Sequence, residues 1–157
     1  DRFCAVAMHS GVAPGSAESA ATAMAAMHGR REAHLPDPPR ALAAEGAGVA
    51  RLPPLLILHG DADPVVSVRN AAATAVLWAR PLGARAGPVR TLQRGKRHAV
   101  RVTEFKARGR AQVTLREIVG LGYAWSGGAP GMHYSDPAGP DASALVWAFV
   151  ARQFRKI

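Results

Sequence analysis

The chain reads as an α/β protein with a mostly parallel sheet, and three observations predict it. Two short apolar runs, residues 3–8 (FCAVAM) and 55–58 (LLIL), are each followed by a turn and a helical segment, giving the order strand, helix, strand, helix. Both runs are continuous instead of alternating, as in strands covered on both faces. A last helical segment follows Asp141, and flanking helices supply that cover.

Each element has a local reason. Residues 3–8 end at His9-Ser10-Gly11 and form a buried strand leaving the core. After Pro14-Gly15, Ser16 can cap a helix over residues 17–28, and Gly29 can stop it. Residues 30–54 carry five prolines and two glycines and are expected as an irregular surface excursion with one helical turn around 41–44. Pro53-Pro54 and Gly60 bound the second strand. Ser67 can cap a helix from Val68 to about Arg80, with Ala71, Ala75, Leu77 and Trp78 on its apolar face and Pro81 ending it. Past a loop at 81–88, residues 102–106 and 112–119 alternate as two strands joined by Arg108-Gly109-Arg110. Residues 120–140 are a loop rich in glycine, proline and aromatics, and Asp141 caps a helix striped with Leu145, Ala148 and Phe149. Trp78 and Trp147 are expected in the core. The 157 residues form one domain, and its few strands and central-type first strand make it look like part of a larger one.

Composition narrows the function classes. Hydrophobic residues make up 48% of the chain, enough for one core, and no apolar window reaches the ~20 residues of a membrane-spanning helix. No basic and apolar leader follows Asp1, so targeting is either absent or upstream. The net charge of +9 comes from 17 Arg and 3 Lys scattered among Ala, Gly and Pro. The densest basic stretch, residues 80–110, has one aromatic, Phe105, whereas single-strand binders stack bases on several rings, so neither a nucleic acid nor a membrane is expected as partner. Cys4, the one cysteine, sits among apolar neighbours and reads as a small core residue, not a nucleophile. No cofactor or metal motif is present.

The segment LLILHGDADPVV, residues 55–66, places Asp61 and Asp63 just past a buried strand, at the edge where α/β sheets gather ligands and catalytic groups. Taken alone, it fits bonding of turn amides equally well. Sixty residues on, VGLGYAWSGG (119–128) is again a strand followed by a tight loop, and YSDPAGPDAS (134–143) leads into the last helix. Here the sequence resembles the poly(3-hydroxybutyrate) depolymerase-like esterases of the α/β-hydrolase superfamily. HSG, AMAAM, HGDAD, AWSGG and DPAGPDAS carry the resemblance in that order, over nearly the whole chain.

The resemblance implies the C-terminal part of an α/β-hydrolase fold and carboxylic-ester cleavage by a Ser-Asp-His mechanism. Asp63, three residues after the HG glycine, takes the place of the triad acid, and Asp61 braces the turn. Trp125 either flanks an acyl pocket or packs its loop onto the sheet. Substrates would be small esters or polyesters, with no cofactor, and the family suggests an extracellular setting.

Two departures stand out. The family histidine immediately precedes AWSGG, where this chain has Tyr123, a phenol with an ordinary pKa near 10 and no second ring nitrogen to link serine to aspartate. His98 and His133 lie nearby in sequence but outside the motif position. No G-x-S-x-G occurs, and Ser10 and Ser126, which precede glycines, are not in a strand-to-helix elbow. In the family the nucleophile-bearing N-terminal half precedes the strand that starts here at Phe3, so the chain is expected to be inactive alone and to partner that half. The rival expectations are a non-catalytic remnant or binding module of the same fold, and a basic nucleic-acid-binding protein.

Overall fold

The computed structural model describes residues 3–33 and 52–155. In chain order its elements are β1 (Val6–His9), α1 (Ala20–Met27), β2 (Leu55–Gly60), α2 (Arg69–Ala79), β3 (Arg85–Ala86), β4 (Arg90–Leu92), β5 (Val100–Ala107), β6 (Arg110–Ile118), β7 (Trp125–Ser126), β8 (Ser135–Asp136) and α3 (Ala142–Phe154). The helical turn expected around 41–44 and most of the 30–54 excursion fall outside the described residues.

β2 is the centre of the molecule, with all six residues buried. Successive side chains of a strand leave by opposite faces, so a strand buried throughout needs a layer on each side. Leu55 and Ile57 meet Ala71, Ala75 and Ala79 of α2, together with Val113 and Leu115 of β6. Leu56 and Leu58 meet Ala142 and Phe149 of α3 on the other side. The small alanines of α2 let the helix lie close to the sheet.

The sheet runs β1-β2-β6-β5-β3, with β4 also paired to β5. β1, β2 and β6 are mutually parallel, but β5 pairs antiparallel with β6, β3 and β4. The sheet is therefore mixed, not mostly parallel. The cause is the turn at Arg108 and Gly109, which both hold positive φ, 50° and 74°, as a two-residue hairpin turn requires. A hairpin reverses the chain, so β5 is set antiparallel to β6, and β3 and β4, antiparallel to β5 in turn, run in the direction of β6 again.

Other boundaries shift for local reasons. Ser19, not Ser16, caps α1: its side chain accepts from Thr22 N and the Thr22 hydroxyl accepts from the Ser19 N–H, so both ends of the cap are met. Ser16 is buried and donates its hydroxyl to Ala13 O at 2.6 Å. No side chain caps α2 from Val68; Ser67 Oγ accepts only a long bond from Arg69 N, 3.3 Å. The loop expected at 81–88 contains β3, an exposed edge strand that acquires its conformation from the β5 ladder. Trp147 is 69% exposed and faces solvent, which corrects its placement in the core, whereas Trp78 packs against the core and donates to Pro53 O at 2.9 Å. Among the described residues no helix is long and apolar enough to cross a membrane.

Candidate functional site

The site is built from the C-terminal ends of β1, β2 and β6. β2 leaves the sheet at Gly60, where an added Cβ would collide with the Leu121 carbonyl, so only glycine lets the two chains approach. The turn that follows is tied to the loop after β6 by three hydrogen bonds. Asp61 N donates to Ile118 O (3.0 Å), Ala62 N to Leu121 O (3.2 Å), and Gly120 N to Asp61 Oδ1 (2.7 Å). Asp61 also accepts from Arg101 at 3.1 Å, so its carboxylate is fully engaged in bracing.

Asp63 is arranged differently. Its Oδ1 accepts from Val65 N and Val66 N at 2.9 and 2.8 Å, which fixes the carboxylate plane. Its Oδ2 is buried with no hydrogen-bond partner among the described residues. His59 Nε2 lies 3.8 Å away, beyond hydrogen-bond range, and is instead 2.8 Å from Val66 O. A carbonyl only accepts, so that nitrogen carries the proton and His59 is a buried structural donor. Its Nδ1 is likewise without a partner.

Across the sheet edge, the loop after β6 closes on β1. Trp125 stacks on His9 with ring centroids 4.6 Å apart and planes 20° from parallel, and Ser126 N donates a long bond to His9 Nε2, 3.4 Å. Tyr123 meets Tyr134 edge to face at 5.3 Å. These rings, with Ser10 and Ala124, wall a cleft of about 250 Å³. His9 is kept neutral at pH 7: burial, reinforced by His59, lowers its pKa to about 4, against an opposing pull from the Asp63 charge.

Of the residues singled out in the sequence, Tyr123 and Trp125 both line this cleft, each 42% exposed, and Trp125 Nε1 donates to Ser143 Oγ at 3.3 Å. Asp63 does not line the cleft; it lies on the turn whose Ala62 amide donates to Leu121 O, two residues before Tyr123. His98 lies elsewhere, paired through Nε2 with Asp136 Oδ2 at 2.9 Å, and His133 packs beside Tyr134 at 6.4 Å. Burial alone would raise the Asp136 pKa, but the bonds from His98 and the Ala138 amide outweigh it and hold the carboxyl below its usual range. Ser126 is fully buried with its hydroxyl donated to Pro140 O at 2.7 Å. Sequence reading gave His9 no role, although it opens the HSG segment at the end of the first strand. Ser10, passed over for lack of a G-x-S-x-G frame, takes φ 49° at that strand end, with a buried hydroxyl lacking a partner. Extended coil follows it, and α1 begins only at Ala20.

The chain matches the family model described as Esterase PHB depolymerase over residues 1–87, more than half its length. It belongs to this esterase family. The match takes in β1, α1, β2, both aspartates of the HGDAD turn and α2, and supports an α/β-hydrolase-like fold and an esterase-like function. Tyr123 and Trp125 lie beyond the matched residues. A comparison with curated proteins found no match.

Proposed function

We propose that this chain supplies the acid-bearing C-terminal part of a serine carboxylic-ester hydrolase, with Asp63 as the triad acid, and that Tyr123 leaves it unable to hydrolyse esters alone. The observation that carries this reading is the Asp63 carboxylate, pinned through Oδ1 by two backbone amides while Oδ2 is buried and unpartnered at the strand-end edge. A purely structural aspartate would have both oxygens engaged, as Asp61 does.

In a complete set, an imidazole donates its N–H to Asp63 Oδ2, and its other nitrogen accepts the serine proton as the serine oxygen attacks the ester carbonyl. The imidazolium then returns the proton to the leaving alcohol, and water releases the acid by the same steps in reverse order. The serine belongs to a G-x-S-x-G elbow, which these 157 residues do not contain. Tyr123 occupies the motif position of the histidine, and a neutral phenol oxygen is too weak a base to take the serine proton as imidazole does. His9 is no substitute: Nε2 accepts from Ser126 N and the ring is stacked under Trp125.

A short-chain nitrophenyl ester tests this. The chain alone should give the buffer rate. Tyr123→His, combined with a G-x-S-x-G-bearing N-terminal half of a family member, should give turnover that Asp63→Asn abolishes. Turnover by the unmodified chain that disappears in Asp63→Ala would overturn the inactive reading.

One observation favours a second reading, a binding module that has kept the fold without the chemistry. The aromatic cleft is preformed by the His9–Trp125 stack and the Tyr123–Tyr134 contact, and at about 250 Å³ it has room for a small ligand. Silence of the repaired assembly, together with saturable binding of a short hydroxy ester that Trp125→Ala removes, would favour it.

A further inference from the structure

A second cleft, of about 590 Å³, is walled by α3 and by residues of β2, β4, β5 and β6. Its floor is apolar, with Leu145 and Phe149 of α3 facing Val100 of β5. Its walls are basic: Arg94, Arg97, Arg116 and Arg152 all line it. On α3, residues 145, 148, 149 and 152 follow the spacing of one helical face, which is why the arginine stands at the end of an apolar stripe.

The charges are not balanced from within the protein. Arg97 donates to the Gly139 carbonyl at 2.7 Å, but none of the four arginines has a carboxylate within salt-bridge reach among the described residues. Asp141, the one carboxylate lining the cleft among those residues, accepts from the Ala144 amide at the start of α3. Arg116 is half-buried in mid-sheet, opposite Leu58 and Val102 in the strand register. Burial first, and then the like charge of Arg152, with smaller contributions from Arg90 and Arg94, lower its pKa against the pull of Glu104. Arg116 is thus a partly desolvated guanidinium with no carboxylate in salt-bridge reach among the described residues, a cost that a bound anion removes, and the exposed Arg94, Arg97 and Arg152 add attraction for that anion.

We propose that this cleft binds an aliphatic carboxylate, its tail on the Leu145 and Phe149 floor and its head group held by Arg116 and Arg152. The planar fork of arginine matches a carboxylate through paired N–H donors. A polynucleotide fits less well, because the two aromatic rings that line the cleft are Phe149, which is buried in the floor, and His98, which is tied to Asp136, and neither offers a free face on which bases could stack. The inference is independent of the ester-hydrolase reading, since the cleft shares no residue with the aromatic one.

Isothermal titration of the full chain with octanoate tests it, with octanol, inorganic phosphate and a single-stranded oligonucleotide as comparison probes. One-site octanoate binding is expected, at least tenfold tighter than octanol or phosphate. Arg152→Gln, at an exposed helix position where folding is not at risk, should weaken it several-fold, and Arg116→Met at least tenfold with the circular dichroism unchanged. If Arg116→Met does not fold, the Arg152→Gln result decides alone. Octanol binding as tightly as octanoate, affinity indifferent to Arg152, or binding of the oligonucleotide with no octanoate binding would each overturn the proposal.

Discussion

Asp63 shows how a single buried side chain can carry a cost in stability. Its buried Oδ2 has no donor among the described residues, which costs free energy that the two amide bonds to Oδ1 partly offset. Asp63→Asn keeps an acceptor for Val65 N and Val66 N while removing the buried charge, so it should be at least as stable as the parent in urea unfolding. Asp63→Ala strands both amides and should lose roughly 2–4 kcal/mol. If Asn proves the more damaging of the two, the carboxylate is structural. His9 makes a prediction about pH. With its folded pKa near 4, below the ordinary value of 6.5, the unfolded chain binds this proton first. Its contribution is therefore complete above pH 6.5 and drains away as pH falls towards 4, by at most about 3 kcal/mol. Urea unfolding at pH 7 and pH 4.5 should show His9→Gln losing about 2 kcal/mol less than the parent over that interval. Equal losses would mean that His9 titrates normally.

Among the elements, β2 and the loop after β6 depend on each other through Gly60. Gly60→Ala places a methyl group against the Leu121 carbonyl, and backbone on both sides is hydrogen-bonded in place. The strand end must then open, so we expect a loss of about 2–3 kcal/mol, in the upper part of the usual overpacking range. The displacement should also move Asp63 and Tyr123 apart, which near-ultraviolet circular dichroism of the Tyr and Trp bands would register. An Ala variant with unchanged spectrum and stability would show that the edge is looser than its hydrogen bonds suggest. How legible these elements were depended on where the instruction to fold them lay. β2 was plain because four apolar residues between Pro54 and Gly60 have no other use in a small domain, and Asp141 capped α3 as expected, accepting from Ala144 N at 2.8 Å. β3 and β4 were not legible: their two and three residues are exposed and too few to show a pattern, and only the outer edge of β5 makes them strands. Ser16 and Ser19 offer the same hydroxyl to a helix start, and Thr22 decided between them.

For the whole molecule, charge is the dominant long-range term. The chain carries +9 at pH 7, and the arginines of the α3 cleft have no carboxylate partners among the described residues. Raising salt from 0.01 to 0.15 M shortens the Debye length from about 30 to about 8 Å, which screens this repulsion more than it weakens the few exposed ion pairs. Calorimetry should show Tm rising by a few degrees over that interval. A flat or falling Tm would mean that attractive pairs outweigh the repulsion. The family assignment belongs to this scale too, because the match covers β1, β2 and the helices that follow them, α1 and α2.

Local pattern sufficed for what depends on nearest neighbours in the chain: the buried strand β2, the helix-capping aspartate and the turn after Gly60 follow from residue type and spacing, whereas the first strand, expected to be buried, has no buried residue because it stands at the edge of the sheet. The tertiary structure alone decided which groups share space. A sheet edge brings together residues far apart in sequence, so the stacking of His9 under Trp125, the free Oδ2 of Asp63 and the gathering of four arginines around one apolar floor arise from packing. Burial and unmatched charge depend on what surrounds a side chain from every direction, and a linear pattern carries no record of that.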